Sequence, residues 1–271
     1  MKNLQIFCLS LNPEHKNLIE KLNYIPVGLG ESSFSKGWLS DKTQENISAK
    51  NKYYGEYTFH YWLWKNDILD FDGWVGFCQY RKFWKKNLIN YRINKFETLD
   101  NIVLKEIPKS FNEYESIIGE NLFVNQFRFS KFVKHNFKTM LFKPELLLNK
   151  KKRTIKFHFD MMHGHGNLDK AIQVLDTKDK NDFNDFVNSE VSFNPHNMFI
   201  CRDKKILYSY YESLFAWLSN CEKIFGFKEL KGFGLQRIYG FLAERYMSYW
   251  FKKYTKYKIL QIQFKDITDF L

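Results

Sequence analysis

Cysteine is scarce and never closely paired: Cys8, Cys78, Cys201 and Cys221 are widely separated, with no C-x-x-C motif. That spacing suggests neither a disulfide framework nor a thiolate zinc site, and it points to a reducing compartment. Long apolar runs are missing too. No stretch approaches the roughly 18 consecutive apolar residues that a membrane-spanning helix needs. The amino-terminal MKNLQIFCLSLNPEH carries one early lysine and a short apolar run before Asn12 and Pro13, thin for a signal peptide and natural for a buried first strand. The expectation is a cytoplasmic protein. No internal repeat stands out, and zinc-finger spacing and the aromatic RNA-binding signature are both absent, so the chain has no mark of a nucleic-acid reader beyond its charge.

What is present is apolar and basic. A chain of 271 residues suits a single α/β-sized domain. Hydrophobic residues at 44% argue against disorder. Twenty-eight Phe, sixteen Tyr and seven Trp exceed what one core requires, and sugars and nucleobases both stack on such rings. An AT-rich genome explains the abundance equally well, so composition identifies no ligand. The 42 Lys plus Arg against 30 Asp plus Glu leave +12, a field that draws polyanions: nucleic acid, acidic headgroups or a diphosphate. The densest run, Lys150, Lys151, Lys152 and Arg153, reads as a solvated loop or as a dock for an anionic membrane surface.

Along the chain, residues 4 to 11 read as a strand, HKNLIEKL as a helix and YIPVGLG as a second strand. Gly28 and Gly30, after Pro26, let the backbone turn close to a ligand. This is how nucleotide-binding α/β domains open. From Asn46 to Asn66, Tyr54, Tyr57, Tyr61 and Trp64 recur at helical spacing, which predicts one helix capped by Asn46 or Ser48. The apolar run Trp74 to Cys78 reads as a central strand that delivers Gln79, Tyr80, Arg81 and Lys82 to its carboxyl end, where open α/β sheets bind ligands. YESIIG follows as a strand, then a Phe- and Lys-rich region that reads as a mobile loop or a helix pair over the cleft. The last third predicts a helix over 169–175, a strand at HNMFIC and helices over 206–224 and 234–250.

Several groupings carry chemistry. Asp70-Phe71-Asp72 is a literal Asp-x-Asp, but it sits at the amino end of its strand. His158, Asp160, His163, His165 and Asp169 can bind a divalent metal or furnish an acid or base; alternatively, Asp169 only stabilises a helix start. Gln236, Arg237, Glu244 and Arg245 recur at helical spacing, with Glu244 and Arg245 read as a buried ion pair and the first two as reaching the cleft. Asn197, before the strand MFI, serves either a sugar hydroxyl or a turn.

The segments NISAKNKYYGEYTFHYWLWKN, WVGFCQYRKF, HGHGNLDKAI, HNMFI and LQRIYGFLAERYMSYWF resemble, in that order, the motif series of a bacterial domain family found in capsule and exopolysaccharide biosynthesis proteins. Its members are regarded as glycosyltransferases related to the GT-A fold. The match runs from about Tyr24 to Ile262, and five ordered motifs make coincidence a poor explanation.

The resemblance implies one GT-A-like, Rossmann-like α/β domain over residues 1–271, with a central mixed sheet flanked by helices and a helical carboxyl-terminal part. It implies a UDP-sugar donor and a lipid-linked or oligosaccharide acceptor; the basic charge adds the expectation of peripheral contact with an anionic membrane surface, at the inner face of the plasma membrane. Its helix motif falls on Asn46, Ser48, Asn51, Glu56, Thr58, Tyr61, Trp64, Lys65 and Asn66, and its strand-end motif on Tyr80, Arg81 and Lys82. Gln79 stands where relatives usually have His, and Gly55 where many have Cys. Donor-binding residues are then expected among Pro26, Gly28, Gly30, Asn46, Ser48, Asn51, Glu56, Lys65, Tyr80, Arg81 and Lys82. Acceptor-binding residues are expected among His165, Asn197, Gln236 and Arg237.

Transfer from a nucleoside diphosphate builds negative charge on the departing group, and something positive must meet it. Many GT-A enzymes use a divalent ion, Mn or Mg, held by Asp-x-Asp; here the corresponding strand ends in Gln-Tyr-Arg-Lys. Arg81 and Lys82 can supply that charge without an ion, so no metal ligand is assigned. If the transfer inverts configuration, Asp169 is the first choice for the base and His163 the second. The rival readings are a non-catalytic module for nucleic acid or other polyanions, built on the basic surface, and a metal-dependent hydrolase using the histidine cluster.

Overall fold

A strand with one face in water alternates buried and exposed residues; the first strand, β1 (Leu4–Ser10), is buried along almost its whole length, which marks the middle of a covered sheet. The computed structural model describes residues 3–87, 92–126, 149 and 152–271. After β1 come α1 (Lys16–Lys21), β2 (Ile25–Gly28), β3 (Leu39–Ser40), α2 (Asn51–Tyr54), α3 (Tyr57–Lys65), β4 (Trp74–Gln79) and β5 (Lys82–Trp84). Next are α4 (Phe96–Ile102), β6 (Ser116–Ile118), β7 (Leu122–Phe123), α5 (Ile155–His163), α6 (Asn167–Gln173) and α7 (Thr177–Ser189). The chain closes with β8 (Ser192–Phe193), β9 (Phe199–Cys201), α8 (Lys204–Phe225), α9 (Phe233–Gln236), α10 (Ile238–Tyr254), β10 (Tyr257–Ile259) and β11 (Ile262–Phe264).

Two compact units emerge. The first holds Met1–Glu120, His196–Ser213 and Trp250–Leu271; the second holds Asn121–Pro195 and Leu214–Tyr249. In the first, a mixed sheet runs β10-β6-β9-β4-β1-β2-β3. β1 pairs in parallel with β2 and with β4, and β9 is antiparallel to both β4 and β6. The expected central position of β4 is what the sheet shows, and Gly76 is needed there because a Cβ would come within 2.8 Å of Ile200. Period-two alternation sends Ile6 and Cys8 to one face of β1, where Leu18 and Ile19 of α1 and Leu99 of α4 share their core. Phe7 goes to the other face, its ring 5.5 Å from Phe59 of α3 and 5.6 Å from Phe77. Cys8 stands opposite Cys78 in the register, both as buried free thiols.

The second unit is mainly helical, with a small β7–β8 ladder. Phe183 of α7 sits 5.6 Å from both Trp217 and Tyr246. The buried carboxylate of Asp179 accepts both the Tyr246 and Tyr249 hydroxyls at 2.9 Å, which satisfies a charge that burial would otherwise make costly.

Four expectations need correction. The helix foreseen over 46–66 is a 3-10 turn at Ser48–Lys50, then α2 and α3 separated at Gly55, whose φ of 60° and ψ of −135° break the helical path. HNMFIC is strand only from Phe199; His196 and Asn197 form a turn, with φ of 80° and 53°. The helix foreseen over 234–250 is α9 and α10, interrupted at Arg237. Arg153 is buried, with Nη1 donating to the Asn125 carbonyl at 3.4 Å, so the basic run is not wholly a solvated loop. Lys150 and Lys151, and the Phe- and Lys-rich stretch over 127–148, lie outside the described residues.

Candidate active site at the carboxyl edge of the sheet

Register decides which loops gather. Ser10 of β1 lies beside Gly28, and Leu9 beside Gln79, so β1, β2 and β4 end on one edge of the first unit's sheet. That edge is where α/β folds bind ligands.

Gln79, the last residue of β4, is hydrogen-bonded at both ends of its amide. Nε2 donates to Glu56 Oε1 at 3.2 Å and to the His196 carbonyl at 3.1 Å, while Oε1 accepts from Lys82 Nζ at 3.1 Å. The same Glu56 oxygen accepts Asn197 Nδ2 at 2.8 Å. Asn197 Oδ1 in turn receives the hydroxyl of Tyr57, which lies 3.0 Å from that of Tyr210. A carboxylate just before α3, an amide at the end of β4, a lysine opening β5 and the turn before β9 are thereby one network. Two successive left-handed residues without glycine, His196 and Asn197, are the kind of backbone that persists only where its surroundings over-determine it.

Gln79, the departure from the resembled motif, therefore has a definite structural role, tying Glu56, Lys82 and the 196–197 turn together. Sequence pattern assigns nothing to His196, although it heads the HNMFI segment. Its ring meets Phe264 edge-on at 5.3 Å. Burial, with Lys82 adding to it, lowers its pKa to about 4, so the imidazole is neutral at pH 7.

Tyr80 and Arg81 occupy the tip of the β4–β5 hairpin. The Tyr80 ring packs 5.0 Å from His15, and the Arg81 guanidinium lies 4.8 Å over Tyr80. Lys265 N–H donates to the Arg81 carbonyl at 3.1 Å, and Ile267 N–H to the Tyr80 carbonyl at 3.2 Å. Arg81 is 58% exposed, with Nε 3.9 Å from Asp266. Buried His15 bridges Ser10 Oγ at 2.8 Å and Thr268 Oγ1 at 3.0 Å. Burial holds its ring below the usual imidazole pKa against the pull of Asp266 and Glu14.

The glycines divide. Gly30 takes φ of 77°, and a Cβ there would meet Leu11 at 3.2 Å and Asn51 Oδ1 at 3.9 Å, so Gly30 and Asn51 share the edge. Gly28 does not offer a ligand an open backbone, because the Phe34 ring covers it and fills the place where a Cβ would stand. Pro26 is buried within β2. Asn46 organises a local turn, accepting the N–H and hydroxyl of Ser48. Lys65 closes α3, the opposite end from Glu56, with Nζ 4.2 Å over the Trp64 ring. The geometry brings together Gly30, Asn51, Glu56, Lys82 and Asn197 with the Tyr80–Arg81 tip; it leaves Lys65 at the far end of its helix. Asp70-Phe71-Asp72 precedes β4, about 20 Å of strand from Gln79.

In the second unit the histidine cluster does not converge on a metal. His158 Nδ1 faces Arg245 Nη2 at 3.2 Å, and His163 Nδ1 faces the Gly234 carbonyl at 3.0 Å. Asp160 takes the Gly166 N–H and, with Asp169, Lys156 Nζ at 2.7 and 2.8 Å. Among the described residues no group of three or more His, Cys, Asp or Glu gathers as ligands. The His163 ring is stacked 4.0 Å from Phe241, and burial first, then Arg245, lowers its pKa to about 2. Asp169 lies in the first turn of α6, half-exposed. His165 is exposed on the turn before α6, Gln236 ends α9, and the Arg237 guanidinium lies 5.9 Å over Phe233. The Glu244–Arg245 pair is as expected, at 2.5 Å, with the guanidinium 4.2 Å over Phe193.

No helix among the described residues is long and apolar enough to cross a membrane. Comparison with solved structures returns the apo structure of WbbM, a bifunctional glycosyltransferase, with a TM-score of 0.58 at 20% identity. The likeness covers 97% of this chain and 45% of that one. It shows the fold, and the mixed α/β sheet flanked by helices is GT-A-like, as expected. No curated protein matches. Residues 11–256 match the family described as a domain of unknown function, DUF4422, and with nearly the whole length covered the chain belongs to that family.

Proposed function

We propose that this chain is a glycosyltransferase, moving a hexose, as pyranose or furanose, from a UDP-sugar to a lipid-linked or oligosaccharide acceptor in bacterial surface polysaccharide synthesis. The observation that carries the reading is the Glu56–Gln79–Lys82–Asn197 network at the carboxyl end of β4, set in a fold shared with a glycosyltransferase. Lys82 and Arg81 supply positive charge at the edge where a GT-A-like sheet receives its nucleotide. A lysine held by an amide is oriented before the diphosphate arrives, so little reorganisation accompanies charge development in the transition state. Gly30 and Asn51 flank the nucleotide, and Asn197 offers its turn to sugar hydroxyls. Capsular or exopolysaccharide assembly as the setting rests on the motif series alone.

Incubation with a panel of UDP-sugars, following UDP release and thermal shift, tests the reading. UDP or a UDP-sugar should raise Tm, and one sugar should release UDP when acceptor is present. Salt-sensitive binding to DNA or RNA with no nucleotide response would favour a polyanion-binding module instead.

A further inference from the structure

One loop of the second unit turns a large aromatic ring into water. Between α8 and α9 the chain reads Gly226-Phe227-Lys228-Glu229-Leu230-Lys231-Gly232. Its framework is pinned: Phe227 packs 5.6 Å from Tyr239, the Tyr239 hydroxyl donates to the Gly226 carbonyl at 2.6 Å, and Leu230 is buried. Phe233, the next apolar residue, is 71% exposed, the most exposed large hydrophobic side chain among the described residues. It does not stand alone. A Cβ on Gly234 would collide with the Met162 carbonyl, so the turn rests on the end of α5, where the Met162 side chain is 52% exposed.

Basic residues flank this apolar tip along the chain. Arg237 lies 5.9 Å from the Phe233 ring centre, and Lys223, Lys228 and Lys231 are exposed in the same stretch. Residues 222–237 carry four basic side chains against Glu222 and Glu229. Phe233, Met162 and Ile224, the exposed large apolar side chains of these segments, fall far short of the roughly 800 Å² per partner of a stable protein interface. An apolar tip flanked by cations instead fits a bilayer boundary, with apolar side chains among the acyl chains and cations on the phosphates.

We propose that this tip docks on an anionic lipid bilayer, Phe233 and Met162 entering the acyl boundary while Lys228, Lys231 and Arg237 meet headgroup phosphates. The inference stands apart from sugar transfer, since vesicle binding is read with no donor present.

Flotation of the purified chain with phosphatidylglycerol-containing vesicles, against pure phosphatidylcholine vesicles, tests it. Retention on the anionic vesicles is expected, weakened about tenfold by Phe233→Ser and comparably by Lys228→Ala with Lys231→Ala. Both variants change exposed side chains and should keep the parental Tm. Absence of binding to anionic vesicles would overturn the proposal, as would equal binding by Phe233→Ser. A concentration-dependent dimer abolished by Phe233→Ser would also overturn it, because a second copy would then cover the tip.

Discussion

Asn197 reaches the Glu56 carboxylate at 2.8 Å across a sequence separation of 141 residues, and the contact couples the break before α3 to the turn before β9. Both ends of the Asn197 amide are used, one by a charge, and its backbone is left-handed. Asn197→Ala should cost about 2–4 kcal/mol, from a charge-assisted and a neutral hydrogen bond in a buried setting. Urea unfolding measures it; a change under about 0.5 kcal/mol would place the residue outside any network.

Lys82 is the cation that the network orients. Lys82→Ala should weaken UDP binding about 10–100-fold, the range for losing one charged contact to phosphate, with stability nearly unchanged. Arg81→Ala should reduce turnover more than it changes folding, because the side chain is largely exposed. Titration calorimetry reads the first and steady-state kinetics the second. Parental values in both would remove the hairpin tip from the mechanism.

For a transfer that inverts configuration, Asp169 is the base expected from the sequence, and its half-exposed carboxylate meets Lys156 Nζ at 2.8 Å. Asp169→Asn should abolish transfer while leaving UDP affinity near the parental value. Transfer at the parental rate would assign the base elsewhere, and His196→Asn would be the next variant to assay.

Acid should unfold the protein early. Burial lowers His60 and His158 to about 3 and His163 to about 2, below the ordinary imidazole value of 6.5. A depressed folded pKa means the unfolded chain binds the proton first. Stability from these groups is therefore complete above pH 6.5 and drains away as pH falls towards 3, by up to about 1.4 kcal/mol per pH unit for each imidazole. Thermal unfolding between pH 7 and pH 4 measures the slope, and His163→Asn should flatten it. Equal slopes in the two proteins would contradict a buried neutral ring at 163.

Much of the fold could be read from periodicity. β1, β4 and α8 are strongly patterned, and each falls within two residues of its expected limits. The site was only partly legible. Glu56 and Lys82 lie in motifs, but nothing in a linear pattern says that the amide at 79 joins them, because that depends on a bend at Gly55 and on strand register. The histidines misled for the opposite reason. His158 and His163 lie close in sequence, yet α5 turns one to Arg245 and the other to a backbone carbonyl, and clustering in sequence is not convergence in space.

The central claim is that a nucleoside diphosphate settles on the carboxyl edge of β1, β2 and β4. Amide hydrogen exchange with and without saturating UDP measures this directly. Slowed exchange concentrated at Gly30, Asn51–Thr58 and Gln79–Lys82 is the predicted result. UDP binding with unchanged exchange at these three segments would contradict it.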